Sequence, residues 1–133
     1  MHTLAILFRA AQLYTHFAHN TVKGPTFFAD HEFLGELYAK YEGFYDDVIE
    51  RMIGLGEKPD IGAITEKACT LSCKAMGDKG SDMFFKRIFA TNKQIYAEIT
   101  KDVKGASDGV QNLLQGFADQ LEAVDYKLKQ RLG

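Results

Sequence analysis

The chain has 133 residues, of which 46% are hydrophobic and 26% charged, with two prolines, two cysteines, no tryptophan and a net charge of −2. That length makes a single domain over residues 1–133, long enough to bury one core. The balance excludes a global basic field for nucleic acid or anionic lipid. Two cysteines are too few for a secreted disulfide scaffold, and no apolar run reaches the roughly 20 residues of a membrane span. The expectation is a cytoplasmic protein with no membrane partner.

The charge is uneven. Residues 1–27 carry Arg9 and Lys23 and no acid, residues 28–60 carry nine acids and three bases, and residues 61–133 carry nine acids and eleven bases. The middle segment is where a cation would bind. The positive balance of the second half is small and interspersed, unlike a DNA-binding face.

Apolar residues recur at helical spacing from the start: Leu4, Leu7, Phe8, Ala11, Tyr14, Ala18 and Val22 predict a helix near 2–22. Gly24-Pro25 ends it, and Thr26 is a suitable N-cap for the next. Leu34, Leu37, Tyr41, Phe44, Tyr45, Val48, Met52 and Leu55 predict a long amphipathic helix near 28–55, closed by Gly56 and Pro59. Ile61, Ile64, Ala68 and Leu71 predict a short helix near 61–73. Cys69 and Cys73 on it are expected as small buried residues. Phe85, Ile88, Phe89, Ile95, Ile99 and Val103 predict a helix near 81–103, and Val110, Leu114, Phe117, Leu121, Val124 and Leu128 one near 107–131, starting at Ser107. No stretch alternates as a strand would.

The fold class is therefore all-α: two antiparallel helical hairpins joined by one long crossover that carries a short extra helix. This connectivity differs from that of bundles with short loops throughout.

The chemistry concentrates between His19 and Arg51. His19 ends the first long helix and His31 begins the second, so one turn brings both imidazoles together. Asp46 and Glu50 stand at i and i+4 on one face. His31, Glu42, Asp46 and Glu50 share a stripe about 100° wide. Two imidazoles and two carboxylates suit Fe, Mn or Zn better than Ca or Mg. His31 and Asp46 lie about 22 Å apart along one helix axis and cannot hold one ion within a chain. A second copy around a two-fold axis would set Asp46 and Glu50 of one subunit against His19 and His31 of the other, making two identical sites. A metal pair inside the bundle would use Glu-x-x-His motifs, and there are none: Leu13, His16 and Phe28 precede His16, His19 and His31 by three.

These residues carry a resemblance. His19, Val22-Lys23-Gly24, Phe27-Phe28, His31-Glu32, Asp46, Glu50-Arg51 and Leu55-Gly56 are similar to the signature of the Dps-type mini-ferritins, and Asp108, Asn112-Leu113-Leu114 and Phe117 through Leu128 are similar to that family's last helix. The resemblance covers nearly the whole chain. It implies a ferritin-like four-helix bundle in a homo-oligomeric, dodecameric shell built from two-fold dimers. It further implies a ferroxidase that oxidises Fe(II) with peroxide or oxygen at two-fold interfaces and stores the product as a ferric mineral. The ligands would be His19 and His31 from one subunit and Asp46 and Glu50 from its partner, with iron bound and Zn or Mn able to substitute.

The chain departs from that pattern. Gly35 stands where the family has Asp, one turn after the second His, with Glu36 or Asp30 as replacements. Asn20 replaces a Trp, Asn112 replaces an acid near the three-fold entrance, and no basic N-terminal tail is seen. DNA binding is therefore expected to be weak or absent. The rival reading is a non-catalytic or DNA-compacting helical assembly whose metal site is degenerate at Gly35.

Overall fold

The computed structural model describes all residues 1–133 and contains five helices and no strand: α1 His2–Thr21, α2 Phe27–Gly54, α3 Ile61–Ala75, α4 Ser81–Asp102 and α5 Asp108–Leu132. The expected hairpins and crossover are present, with boundaries within two residues of the periodicity. The four long helices form the bundle, and no helix is long and apolar enough to cross a membrane.

Each helix buries one stripe. Leu4, Phe8, Ala11, Thr15 and Ala18 line the inner face of α1, and Leu34, Leu37, Tyr41, Phe44, Val48 and Met52 that of α2. The rings of Phe8, Phe44 and Phe117 meet at 4.7–5.4 Å between centroids, joining α1, α2 and α5. Tyr14 and Phe17 pack on Phe84 at 6.4 and 5.8 Å and join α1 to α4. Burying such a side chain is worth roughly 1.5–3 kcal/mol each.

A polar chain runs through this core. The Tyr41 hydroxyl donates to Asn92 Oδ1, Asn92 Nδ2 donates to Asp125 Oδ1 at 2.8 Å, and the Tyr96 hydroxyl donates to Asp125 Oδ2 at 2.5 Å. Burial pushes the Tyr41 and Tyr96 hydroxyls up, and the charge of Asp125 adds to it in both, so both stay protonated donors.

The crossover helix α3 lies against α1. Its N-cap, Asp60, accepts from the Ala63 N–H at 3.0 Å. Its buried stripe is Ile64, Ala68, Ser72 and Ala75, mostly small residues that allow close approach to α1. This corrects the expectation for the cysteines. Cys69 and Cys73 each follow a buried residue by one position, about 100° round the helix, and both are exposed. Ile61 and Leu71, also expected in the core, are 47% and 45% exposed, because α3 presents only one face to the bundle, and Leu55, likewise expected there, lies just past the end of α2 and is 55% exposed. After α3, Asp78 fastens the loop: it accepts from the Tyr14 hydroxyl at 2.7 Å and from both Nε and Nη2 of Arg87.

The turn from α1 to α2 sets the histidines. Val22 leaves the helix in an extended conformation, and Gly24 has φ +104°, in the left-handed region that favours glycine. Thr26 precedes α2 as expected, but its hydroxyl donates to Asp30 Oδ2 at 2.7 Å and does not cap the helix N–H groups.

Candidate metal centre

This tight turn brings the last residues of α1 beside the first of α2. The His19 and His31 rings stack at 3.8 Å between centroids, 18° from parallel. Each ring bonds the other residue's backbone: His19 Nδ1 donates to the His31 carbonyl at 2.8 Å, and His31 Nδ1 donates to the His19 carbonyl at 2.9 Å. A carbonyl oxygen only accepts, so Nδ1 carries the proton in both. The neutral ring then keeps its lone pair on Nε2, the tautomer that metal-binding histidines need. Phe27 continues the stack on His31 at 4.8 Å.

Two further groups border the pair. Tyr38 lies 5.3 Å from the His19 ring, and His16, exposed on α1, stacks flat on Tyr38 at 4.2 Å. Tyr38 was not among the site residues expected from the sequence, although its place seven residues after His31, on the same helix face, could have signalled it.

The carboxylates are elsewhere. Asp46 and Glu50 are exposed on the second half of α2 and make no hydrogen bond or ion pair within the chain. No group of three or more His, Cys, Asp or Glu side chains gathers into a metal site within one chain. Of the four residues expected as ligands, the structure joins His19 to His31 and leaves Asp46 and Glu50, themselves one turn apart, about four and five helical turns along α2 from His31. Glu42, on the same stripe, is tied to α1: Gln12 Nε2 donates to its Oε2 at 3.0 Å, and Arg9 Nη1 to Gln12 Oε1 at 2.8 Å.

The candidates to replace the carboxylate missing at Gly35 fare differently. Asp30 is 3% exposed and occupied: Arg131 Nε and Nη2 donate to its two oxygens at 3.2 Å each. Burial alone would raise its pKa, but the bonds from Arg131 and Thr26 outweigh it and hold the carboxyl below the usual range. It is a structural anion, not a free ligand. Glu36 is exposed. Gly35 itself faces His19: a Cβ there would lie 3.0 Å from His19 Cε1 and 3.2 Å from Nδ1.

Comparison with known proteins follows this geometry. The family model for the ferritin-like domain matches residues 1–133. The chain is 30% identical over 125 residues to DNA protection during starvation protein 2 of Deinococcus radiodurans, which spans 91% of this chain and 52% of that protein. It is 30% identical over 124 residues to general stress protein 20U of Bacillus subtilis, 89% of this chain and 84% of that protein. The chain thus spans about half the length of the first relative and most of the second.

Proposed function

The chain belongs to the ferritin-like domain family, of the Dps type, and from that membership we propose that it is a ferroxidase and iron-storage subunit acting in oxidative protection. The observation that carries this reading is the reciprocal lock of His19 and His31. It leaves the Nε2 lone pairs of two rings stacked at 3.8 Å unused and spends Nδ1 on fixing the rings. The two Nδ1 bonds require that tautomer by themselves; what favours the metal reading is that neither Nε2 has a partner within the chain.

Fe(II) is the substrate. In this reading His19 and His31 of one subunit and Asp46 and Glu50 of a two-fold-related copy hold it. The exposed carboxylate pair, with no partner of its own, is what the histidines of a second subunit would complete. Two neutral nitrogens and two anionic oxygens leave the bound ferrous ion formally uncharged and favour the loss of an electron to the more highly charged ferric state. Each peroxide takes two electrons from two ferrous ions and, with two protons, leaves as two waters. Dodecameric closure would confine the ferric product. Asp108, exposed in the first turn of α5, is available to draw cations towards an entrance.

The test is peroxide-driven Fe(II) oxidation by assembled protein, followed by ferric absorbance, for the wild type and for His19→Ala with His31→Ala. Saturable oxidation that the double substitution reduces to background supports the reading. Equal rates in both would end it and leave the non-catalytic assembly.

A further inference from the structure

We propose that the outer face of α3 holds a soft monovalent metal ion, Cu(I), between the thiolates of Cys69 and Cys73, with the thioether of Met76 beside them. The inference is independent of the reading of His19 and His31.

These two are the only cysteines of the chain. Cysteine is among the residue types most often buried, yet both are exposed and free, so packing does not account for them. Their placement on α3 brings them together. The helix runs unbroken from Ile61 to Ala75, and its buried stripe of Ile64, Ala68, Ser72 and Ala75 fixes which side is turned away from the bundle. At 100° per residue, Cys69 and Cys73 stand about 40° apart, and Met76 stands about 20° from Cys69. All three residues therefore share one side of the helix. The Met76 N–H donates to the Cys73 carbonyl at 3.2 Å, which closes the last turn and keeps Met76 next to Cys73 along the axis. Met76 is itself partly exposed.

The spacing decides what the thiols can do. β-Carbons one helical turn apart are about 5–6 Å from each other, wider than the roughly 3.5–4.5 Å that a disulfide spans. An intact α3 therefore keeps the two thiols from closing on one another. An ion between them removes the difficulty: two metal–sulfur bonds of about 2.3 Å set the sulfurs up to about 4.6 Å apart. Zn(II) would require four ligands in a tetrahedron, and no third His, Cys, Asp or Glu side chain gathers here. Cu(I) is soft and is satisfied by two or three sulfurs, which is the set that Cys69, Cys73 and Met76 provide. Binding exchanges two thiol protons for one Cu(I) and leaves the complex with a single negative charge.

The test titrates the assembled protein, reduced and free of oxygen, with Cu(I) against a chromophoric Cu(I) chelator. The expected result is one ion withdrawn per subunit, with X-ray absorption showing only sulfur neighbours at about 2.3 Å. Cys69→Ser and Cys73→Ser should each weaken binding by at least about 100-fold, more than losing a group that merely supports a ligand. Met76→Leu should weaken it by a smaller factor, and an unchanged affinity there would strike the thioether from the site. Helix content and assembly size confirm that each variant folds. His19→Ala with His31→Ala should leave Cu(I) binding as in the wild type. No withdrawal of Cu(I) by the wild type, or an affinity that neither cysteine substitution lowers, would overturn the proposal. Nitrogen neighbours, with binding lost in the histidine variant, would place the ion on the histidines and overturn it as well.

Discussion

Arg131, in the last turn of α5, holds the buried carboxylate of Asp30, next in sequence to His31, with two bonds of 3.2 Å. The same guanidinium reaches Asp82 Oδ1 at 3.1 Å and Thr26 Oγ1 at 3.3 Å, so one side chain clamps the starts of α2 and α4 to the end of α5. The turn that carries His31 is thereby anchored to the far end of the chain.

Removing the clamp strands a buried anion. Arg131→Ala is expected to destabilise the subunit by about 1–3 kcal/mol, the cost of an unsatisfied buried polar group. Part of that is relieved because the guanidinium end is partly open to water. Urea unfolding midpoints measure it. Asp82→Ala, which removes an exposed partner of the same arginine, should shift the midpoint far less. Equal shifts would show that the buried Asp30 is not the reason for the clamp.

What could be read along the chain follows from how local each signal is. The helices were legible because α1, α2, α4 and α5 are long and amphipathic, and Ser107 caps α5 as expected, accepting from the Val110 N–H at 3.3 Å. The closeness of His19 and His31 was legible because only a short turn separates them. Asp30 with Arg131 was not, since the partners lie 101 residues apart and only the folded bundle brings them together. The exposure of Cys69 and Cys73 was not, because periodicity finds an apolar stripe without saying which edge of it reaches the neighbouring helix. Nor was the packing of His19 on Gly35, because a glycine shows nothing of what fills its space.

Asp78 gives a pH dependence of defined sign. The Arg87 guanidinium beside it, helped by the Tyr14 hydroxyl, outweighs burial and holds its carboxyl below the usual value. A carboxylate lowered by folding contributes stability that is fully present above its unfolded pKa of about 3.9 and is lost as pH falls through the folded value. Asp78→Asn should therefore be less stable than the wild type at neutral pH, and the gap should close below about pH 4. A gap constant down to about pH 2 would assign the effect to packing alone.

The net charge of −2 sets the expectation for nucleic acid. Non-specific affinity comes mainly from neutralised phosphates, and Arg87, one cation of the second half, is already paired with Asp78. A gel shift of linear duplex DNA with the assembled protein at about 150 mM salt should show no submicromolar binding. A strong shift that weakens steeply with added salt would reveal a basic surface formed by assembly.

The sharpest prediction concerns the sharing of ligands between subunits. His31 and Asp46 are fifteen positions apart on the continuous helix α2, about 22 Å along its axis, so no single chain can place both on one ion. Consider one variant with His19→Ala and His31→Ala, and another with Asp46→Ala and Glu50→Ala. Each alone should assemble and be inactive, because every interface site lacks half its ligands. When the two are co-assembled in equal amounts, half of the two-fold pairs are mixed. In a mixed pair one site draws histidines and carboxylates from intact donors, and the other draws both from substituted ones. About a quarter of all sites should regain ferroxidase activity, by the symmetry of an isologous contact. Mass spectrometry of the assemblies verifies that subunits have exchanged at random. An intrachain site predicts no recovery at any mixing ratio, so a rate at background in verified mixed assemblies would end the shared-site model.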